Sequence, residues 1–272
     1  MDLQNKICEL YNELDESGHY EERLTIFGEF IFRLNEGLIR SAEQIDGEWE
    51  VNEWVKKGIL LGFRIGAMTE YPSGSGYSFW DKNTFPPKKF TFDSHVRVVP
   101  GGTSVRDGAY VAHSVIIMPP SYINVGAYVD EGTLIDSHAL VGSCAQVGKN
   151  CHVSAGVMIG GVIEPIGSKP VIIEDNVFLG GQTGLYEGII VRKNAVLAPG
   201  TIISSSTPVY DSVNGKYLEK VNGTLEIPEG AVLVPGSRPL KSNPAHQLYC
   251  PIIVKYRDEK TDRAVVLEEI LR

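Results

Sequence analysis

The stretch that decides the fold is VPGGTSVRDGAYVAHSVIIMPPSYINVGAYVDEGTLIDSHALVGSCAQVGKNCHVSAGVMI, residues 99–159. Every sixth residue in it is a branched aliphatic, and a small residue stands two places before most of them. The aliphatic positions are Val99, Val105, Val111, Ile117, Ile123, Val129, Ile135, Val141, Val147, Val153 and Ile159. A helical face recurs at 3.6 residues, so a strict period of six excludes a helix. Six residues fit one short strand and one corner, and three such units close one triangular coil of a parallel β-helix.

The same period continues after two interruptions. It stops at Pro165 and resumes two residues out of phase, at Ile173, Leu179, Leu185, Val191, Leu197, Ile203 and Val209. The segment GVIEPIGSKPV (161–171) is therefore expected to bulge from a corner with two residues more than the period allows. The segment 210–226 is expected to form a hairpin that turns at Asn214-Gly215, before a last coil at Ile227 and Leu233. About six to seven coils, stacked about 4.8 Å apart, give a prism roughly 30 Å long.

The flanking segments predict three domains. Residues 1–92 form an α-rich domain, because apolar residues recur at three and four through about residue 40. Residues 93–238 form the solenoid with its inserted hairpin near 210–226. Residues 239–272 form a C-terminal cap made of the strand LYCPIIVKY and the helix AVVLEEILR. A cap is needed because an open coil exposes unpaired backbone groups.

The α-rich domain contains three shorter features. Asp46-Gly47 predicts a tight turn between two short strands. The segment NEWVKKGILLGFRIG (52–66) predicts a buried helix, with Asn52 as its cap. The segment from Tyr71 to Phe90 is rich in Gly, Ser, Pro and Lys, and it predicts a linker or a surface arm.

Composition excludes several classes of function. The 272 residues carry a net charge of −9, so the chain has no basic surface for nucleic acid. No apolar run is long enough to span a membrane, and the acidic N-terminus is unlike a signal peptide. The four cysteines form no CxxC pair and no metal-ligand spacing. Cys151 falls on an inward position, so we expect a buried thiol in a cytoplasmic protein.

Several long motifs resemble one known family. They are RVVP (97–100), MPPSYINVGAYVDEGTLIDSHALVGSCAQVGKN (118–150), IGGVIEP (159–165), IIEDN (172–176) and LYCPIIVK (248–255), together with EQIDGEWEVNEWVKKGILLGFRI (43–65). These segments resemble the tetrahydrodipicolinate N-succinyltransferases of lysine and diaminopimelate synthesis. The likeness covers nearly the whole chain, including the helical N-terminal domain.

The resemblance implies a fold and a reaction. The coil is expected to be left-handed, and the prism is expected to assemble as a homotrimer. Succinyl passes from succinyl-CoA, a co-substrate, to the amino group of ring-opened tetrahydrodipicolinate, and no cofactor stays bound. No covalent enzyme intermediate is needed, since an unprotonated amine attacks a thioester directly. The residues themselves leave open whether succinyl or acetyl is the preferred acyl group.

The resemblance also places the acceptor site on two residues. Arg97 in RVVP and Asp136 in LIDSH match the family's substrate-binding positions. Arg97 offers a forked donor for a carboxylate, and Asp136 is expected to point out of the prism and to hold the amine or accept its proton. By spacing alone, Arg97 is equally an ion pair at the domain junction and Asp136 an ordinary solvated coil residue.

The chain departs from the family at Gly184. That position aligns with a functional glutamate of the family, and the nearest carboxylate is Glu187, up to about 10 Å away along an extended chain. Glu187 is therefore a candidate base, with Asp136 as the alternative. The period places Asp136 and Glu187 on different faces of one prism, so they are expected to meet only across a subunit boundary.

Coenzyme A needs a groove for its pantetheine arm and positive charge for its phosphates. Arg238 and Lys241, in PGSRPLKS after the last coil, are the candidates for the phosphates, and Gly200 allows close approach of the arm. An ordinary surface loop explains the two basic residues equally well.

Three other functions compete with this interpretation. An O-acyltransferase on the same scaffold needs a histidine base, for which His113 and His138 are the candidates. A carbonic anhydrase of the γ class uses three histidines, but the six here show no close pair at ligand spacing. A non-catalytic assembly subunit is the third alternative, and the absent glutamate at Gly184 is its only support.

Overall fold

The computed structural model of the protein describes residues 2–13, 20–72, 76 and 78–257. The N-terminal part packs helices against one another around a cluster of aromatic and aliphatic side chains that includes Phe27, Phe30 and Phe85. Its elements are α1 (Leu3–Asn12), α2 (Tyr20–Asn35), β1 (Ala42–Ile45), β2 (Glu48–Val51), α3 (Glu53–Ile65), β3 (Met68–Pro72), β4 (Ser78–Lys82) and a short 3₁₀ helix (Phe92–Ser94).

A series of very short strands follows in the regular coils. They are β5 (Arg97–Val98), β6 (Ser104–Val105), β7 (Tyr110–Val111), β8 (Ile116–Ile117), β9 (Tyr122–Ile123), β10 (Tyr128–Val129), β11 (Leu134–Ile135), β12 (Leu140–Val141), β13 (Gln146–Val147), β14 (His152–Val153), β15 (Met158–Ile159), β16 (Ile172–Ile173), β17 (Phe178–Leu179), β18 (Gly184–Leu185), β19 (Ile190–Val191), β20 (Val196–Leu197) and β21 (Ile202–Ile203). The remaining strands are β22 (Tyr210–Asp211), β23 (Lys216–Tyr217), β24 (Glu226–Ile227), β25 (Ala231–Val234), β26 (Ser237–Leu240), β27 (Asn243–Tyr249) and β28 (Ile252–Tyr256).

Three parallel sheets form the faces of the prism. Face 1 contains β5, β8, β11, β14, β17, β20 and β25; face 2 contains β6, β9, β12, β15, β18 and β21; face 3 contains β7, β10, β13, β16, β19 and β24. Within a face, each strand pairs with the strand one coil further along the chain, as where Val129 pairs with Val147. The chain therefore visits faces 1, 2 and 3 in turn.

The inward positions of the period form the core of the prism. Ile117, Ile135, Val147 and Ile159 are all fully buried, and their side chains belong to one continuous cluster. Each such side chain contributes about 1.5–3 kcal/mol by leaving water. The predicted mainly β, parallel solenoid with an α-rich N-terminal region is confirmed. Its left-handedness stays a prediction from the resemblance.

The corners of the coils use residues with positive φ. Asn150, Asn176 and Asn194 have φ between 53° and 61°, a conformation that asparagine tolerates. His138 (φ 62°) and Glu187 (φ 58°) take the same conformation at their corners. The side chains at these corners therefore point away from the core, toward whatever lies beside the prism.

The loop after β15 is longer than the period predicted. Ile159 lies on face 2 and Ile173 on the adjacent face 3, so fourteen residues make a step for which six are usual. The loop 160–171 thus carries eight extra residues, and the predicted excess of two was wrong. The prediction counted Pro165 as a strand position, whereas the chain forms no strand there.

Two predictions for the N-terminal domain need correction. The expected linker from Tyr71 to Phe90 contains β4, which pairs antiparallel with β3, and it also contains the buried Phe85. Asn52 stands just before α3, but its amide donates to Arg40 O and Glu43 Oε1 and makes no capping bond. The turn at Asp46-Gly47 between β1 and β2 is confirmed.

The end of the solenoid is closed by paired strands. The hairpin of β22 and β23 lies in the segment 210–226, and β28 runs between β22 and β25. Asp211 Oδ2 accepts hydrogen bonds from Tyr256 Oη (2.7 Å) and Asn214 Nδ2 (2.7 Å), which fastens the hairpin to β28. Strand β26 crosses the predicted boundary between residues 238 and 239, and the domain boundaries stay predictions. The predicted helix at 264–272 lies outside the described residues.

Among the residues described, no helix is both long enough and apolar enough to cross a membrane.

Candidate functional site

A cleft of about 700 Å³ lies beside the corner that carries Glu187. Its walls come from face 2, from the loop 160–171 and from the segment 210–226. The side chains that matter for the site are those of Lys169, Tyr186, Glu187, Ser205 and Lys220. With Glu164, which also lines it, the cleft combines two carboxylates, one phenol and two ammonium groups on the surface of the solenoid.

Glu187 is fixed by the next coil. Its Oε2 accepts hydrogen bonds from Ser205 N (3.1 Å) and Ser205 Oγ (2.7 Å). The side chain is otherwise exposed, so Oε1 is open to the cleft. A carboxylate that is oriented on one oxygen and open on the other suits the binding or deprotonation of an amine.

Gly184 has no room for a side chain. A Cβ built on it would lie 2.8 Å from Tyr186 Cε2 and 2.9 Å from Ile202 Cδ1. Both neighbours would have to move before a glutamate fitted here. The absence of a carboxylate at position 184 is therefore part of the local packing, since Tyr186 and Ile202 occupy the space.

Asp136 lies at the corner between faces 1 and 2. Its side chain is half-buried, and Oδ1 accepts a hydrogen bond from Ser137 N (2.7 Å). Ser121 Oγ donates to Asp136 O (2.8 Å) from the preceding coil, so the backbone at this corner is held as well. The second carboxylate oxygen has the freedom to meet a ligand.

The two candidate carboxylates occupy different corners of one prism. Asp136 follows β11 on face 1, and Glu187 follows β18 on face 2. Asp136 precedes β12, and Glu187 follows β18. On face 2, β12 pairs with β15 and β15 pairs with β18. The two carboxylates are therefore about two coils apart, which is about 10 Å along the prism axis. The expectation that they lie on different faces agrees with the strand order.

Arg97 lies at the first coil of face 1. It is exposed in β5, which pairs with β8, and β8 pairs with the strand before Asp136. Arg97 and Asp136 are thus two coils apart on the same side of the prism. The spacing suits an extended acceptor with a carboxylate at Arg97 and its amine at Asp136.

The three candidate coenzyme A residues lie toward the other end. Gly200 has φ 76° at the corner after β20, and a Cβ there would meet no atom within 4 Å. Lys241 is exposed at the turn between β26 and β27. Arg238 is half-buried, and its Nε is buried without a hydrogen-bond partner among the described residues. Tyr249 Oη accepts from Ile202 N (2.7 Å), which ties this hairpin to face 2.

The histidines and cysteines do not form a rival site in the part of the chain that the structure describes. No group of three or more metal-ligating side chains occurs there. His113 Nε2 lies 3.8 Å from Glu131 Oε1, and His138 is exposed at its corner. Cys151 is fully buried, as expected, and burial raises its pKa to about 12, so the thiol is unreactive.

One buried charge was missed by the sequence analysis. Lys56 of α3 is fully buried, and its Nζ donates a hydrogen bond to Ser168 O in the loop 160–171. Burial lowers the pKa of Lys56. The signal in the sequence was its position, since Lys56 stands three residues before the buried Ile59 on the apolar side of the helix.

Comparison with known proteins gives consistent matches. A profile described as tetrahydrodipicolinate N-succinyltransferase N-terminal matches residues 2–65, and one for the hexapeptide repeat of succinyl-transferase matches 139–160 and 170–205. A 2,3,4,5-tetrahydropyridine-2,6-dicarboxylate N-succinyltransferase from Paraburkholderia phytofirmans is 47% identical over 246 residues, 89% of this chain and 86% of the relative. The protein of that name from Paraburkholderia phymatum is 46% identical over the same shares.

A solved structure gives a weaker match. It is a candidate 2,3,4,5-tetrahydropyridine-2-carboxylate N-succinyltransferase from Campylobacter jejuni, with 14% identity and a TM-score of 0.42. The match covers 88% of this chain and 63% of that chain, which is less than two thirds of its length.

Proposed function

The chain belongs to the tetrahydrodipicolinate N-succinyltransferase family, and from that premise we propose how its own residues carry out the reaction. It is an acyltransferase that moves succinyl from succinyl-CoA to the amino group of tetrahydrodipicolinate, in lysine and diaminopimelate synthesis. The observation that carries this conclusion is the identity of 47% across 89% of the chain. The family and the reaction expected from the sequence are confirmed.

The first chemical task is to remove a proton from the acceptor. An alkyl ammonium loses its proton near pH 10, so a neutral amine is scarce at pH 7. Asp136 and Glu187 are the two carboxylates that we assign to this task, one binding the ammonium and the other accepting the proton. Arg97 binds a carboxylate of the acceptor, which holds the amine in line with the thioester.

We place the complete site between neighbouring copies in a homotrimer. The outward side of face 3 is covered by the chain's own N-terminal part, where Ala42 and Trp49 pack on Ile172 and Ile190. Faces 1 and 2 carry exposed apolar residues, among them Ile202, which is 41% exposed. A contact between two different faces is head-to-tail, and such a contact forms a ring of three where the rotation between neighbours is one third of a turn. Asp136 of one copy then approaches face 2 of the next.

Coenzyme A is expected to lie along the same boundary between copies. Gly200 leaves the corner open for the pantetheine arm, and Arg238 and Lys241 supply positive charge for the phosphates. The unpartnered Nε of Arg238 supports its role, because a buried guanidinium donor without a partner is costly unless a ligand satisfies it. A cytoplasmic location fits a reaction that consumes succinyl-CoA.

The test is release of coenzyme A thiol with tetrahydrodipicolinate as acceptor, measured with succinyl-CoA and separately with acetyl-CoA. We expect release with succinyl-CoA in the wild type and a loss of at least about a hundredfold in Asp136→Ala. Asp130→Ala is the matched control, because Asp130 is also half-buried at a corner and its Oδ1 accepts from the next backbone N–H (2.8 Å). Release with acetyl-CoA alone would make the chain an acetyltransferase, and no release with either donor would favour an assembly role.

A further inference from the structure

The ring of Tyr186 lies in a notch made by two glycines. Gly160 follows β15 and Gly184 begins β18, and these strands are neighbours on face 2. A Cβ on Gly160 would lie 2.9 Å from Tyr186 Cδ1, and a Cβ on Gly184 would lie 2.8 Å from Tyr186 Cε2. Any larger residue at either position would displace the ring.

The backbone does not explain these glycines. Neither Gly160 nor Gly184 has φ in the left-handed region, so any residue could adopt their conformations. The requirement for glycine is therefore one of space, and the space is filled by the phenol ring. The notch orients Tyr186 before any ligand arrives, which lowers the entropy lost on binding.

The hydroxyl of Tyr186 lies over the outward side of face 2. It stands 3.0 Å from the point where a Cβ of residue 184 would be. The side chain is 36% exposed and lines the same cleft as Glu187, the next residue. A neutral O–H donor and a fixed carboxylate therefore lie side by side in this cleft.

We propose that Tyr186 contacts the substrates and donates its O–H to the oxygen that becomes negative during acyl transfer. The inference rests on the proposed function, in which Glu187 or Asp136 takes the ammonium proton. The amine nitrogen then bonds to the thioester carbon, and the C=O electron pair moves to the oxygen. When that pair returns, the C–S bond breaks, the nitrogen loses its second proton to leave the neutral amide, and coenzyme A departs as the thiolate, which takes up that proton.

This role explains why a neutral donor stands beside Glu187. The attacking nitrogen and the charged oxygen are bonded to the same carbon, so their partners in the protein must be neighbours. A phenol beside Glu187 can donate its O–H to this oxygen and stabilise its charge. An oxyanion donor acts on the transition state more than on bound substrate, so its loss lowers kcat with little change in KM.

The test is steady-state kinetics of Tyr186→Phe with both substrates varied. The phenylalanine ring still fills the notch, so the melting temperature should stay within about 2 °C of the wild type while kcat falls about ten- to a hundredfold. KM for both substrates should change less than about threefold. Tyr217→Phe is the matched control, since Tyr217 is 47% exposed on the hairpin strand β23, and its kinetics should match the wild type.

A second variant tests the notch itself. Gly184→Ala places a Cβ against the ring and should lower kcat by a similar factor while the phenol is retained. Unchanged kcat in Tyr186→Phe, or a rise in KM alone, overturns the inference and leaves the proposed function standing. A wild-type protein that releases no thiol with either donor overturns both.

Discussion

Glu187 owes its orientation to a serine one coil further along the chain. Ser205 lies eighteen residues after Glu187, and both its N–H and its hydroxyl donate to Glu187 Oε2. The coil geometry thus turns a corner residue, whose side chain would otherwise move freely in solvent, into a fixed carboxylate. A base that is already oriented loses less entropy when the amine arrives.

Ser205→Ala removes the hydroxyl bond and leaves the backbone bond. We expect kcat to fall about three- to tenfold, because one hydrogen bond to an exposed carboxylate contributes about 0.5–1.5 kcal/mol. The melting temperature should change by less than about 2 °C, since the site is on the surface. Ser206→Ala is the control, because the Ser206 hydroxyl lies 3.2 Å from Ser204 Oγ in the same turn. A wild-type kcat in Ser205→Ala would contradict the role given to Glu187.

Single residues differ in how far the sequence reveals them. Asp136 was identified because it matches a substrate-binding position of the family, and Glu187 because it is the carboxylate nearest to Gly184. The packing of Tyr186 against Gly184 was not predictable, because a period gives the direction of a side chain and not its rotamer. Lys56 was missed because its partner, Ser168, is 112 residues away in a loop without a period.

At the scale of elements, α3 holds the loop that forms one wall of the cleft. Lys56 reaches from α3 to Ser168 O, and Ser168 and Lys169 line the cleft beside Glu187. The loop 160–171 contains no strand of the solenoid, so this bond is one of the few that restrain it. The N-terminal domain therefore supports one wall of the cleft, although none of its described residues lines it.

Lys56→Met should lower the free energy of unfolding by about 1–3 kcal/mol, because it leaves the half-buried Ser168 O without its donor. Burial lowers the pKa of Lys56 in the folded protein below its ordinary value of 10.5, which the unfolded chain keeps. Between these two values the unfolded chain binds more protons, so the wild type gains stability as the pH rises through that window. The methionine variant lacks this gain. The difference in free energy of unfolding between the wild type and the variant, measured by urea unfolding, should therefore grow from pH 7 to pH 10.

The neighbouring Lys57 provides the matched comparison. Lys57 is only half-buried, and Lys57→Met should change the free energy of unfolding by less than about 0.5 kcal/mol at either pH. Lys56→Met should also lower kcat, because the loop wall loosens. If Lys56→Met lowered the free energy of unfolding equally at pH 7 and pH 10, the ammonium of Lys56 would not be desolvated by folding.

The elements themselves were largely predictable, and the connections between them were not. The period of six located each regular strand to within a residue, because every error in register would expose an aliphatic side chain. The length of the loop 160–171 was misjudged, since counting by sixes assigned a strand to Pro165. The segment from Tyr71 to Phe90 was misjudged for another reason, because its turn-forming composition masked the pairing of β3 with β4.

At the scale of the whole molecule, the three faces of the prism are not equivalent. Arg40 lies 3.6 Å from the centre of the Tyr128 ring on face 3, where β1 and β2 also pack, so this face is covered from within the chain. Faces 1 and 2 meet at the corner that carries Asp136, and their outward side chains include Leu134 and Met158. One chain thus offers two different faces with exposed apolar side chains around the candidate catalytic carboxylate, and a contact between two different faces is the kind that can build a closed ring.

A ring of this kind makes each site depend on two chains. In the homotrimer that we propose, Asp136 comes from one copy and Glu187 from the next, so Asp136→Ala and Glu187→Ala should each give an inactive homotrimer. Coexpression of the two variants should restore activity, because some boundaries then join an intact Asp136 to an intact Glu187. Random mixing around a ring gives about one such boundary in four, so about a quarter of the wild-type rate is expected.

Separately purified variants that are mixed without unfolding serve as the control and should stay inactive. If both carboxylates acted within one chain, every chain in the coexpressed mixture would lack one of them. No activity would then return, and the shared site would have to be abandoned.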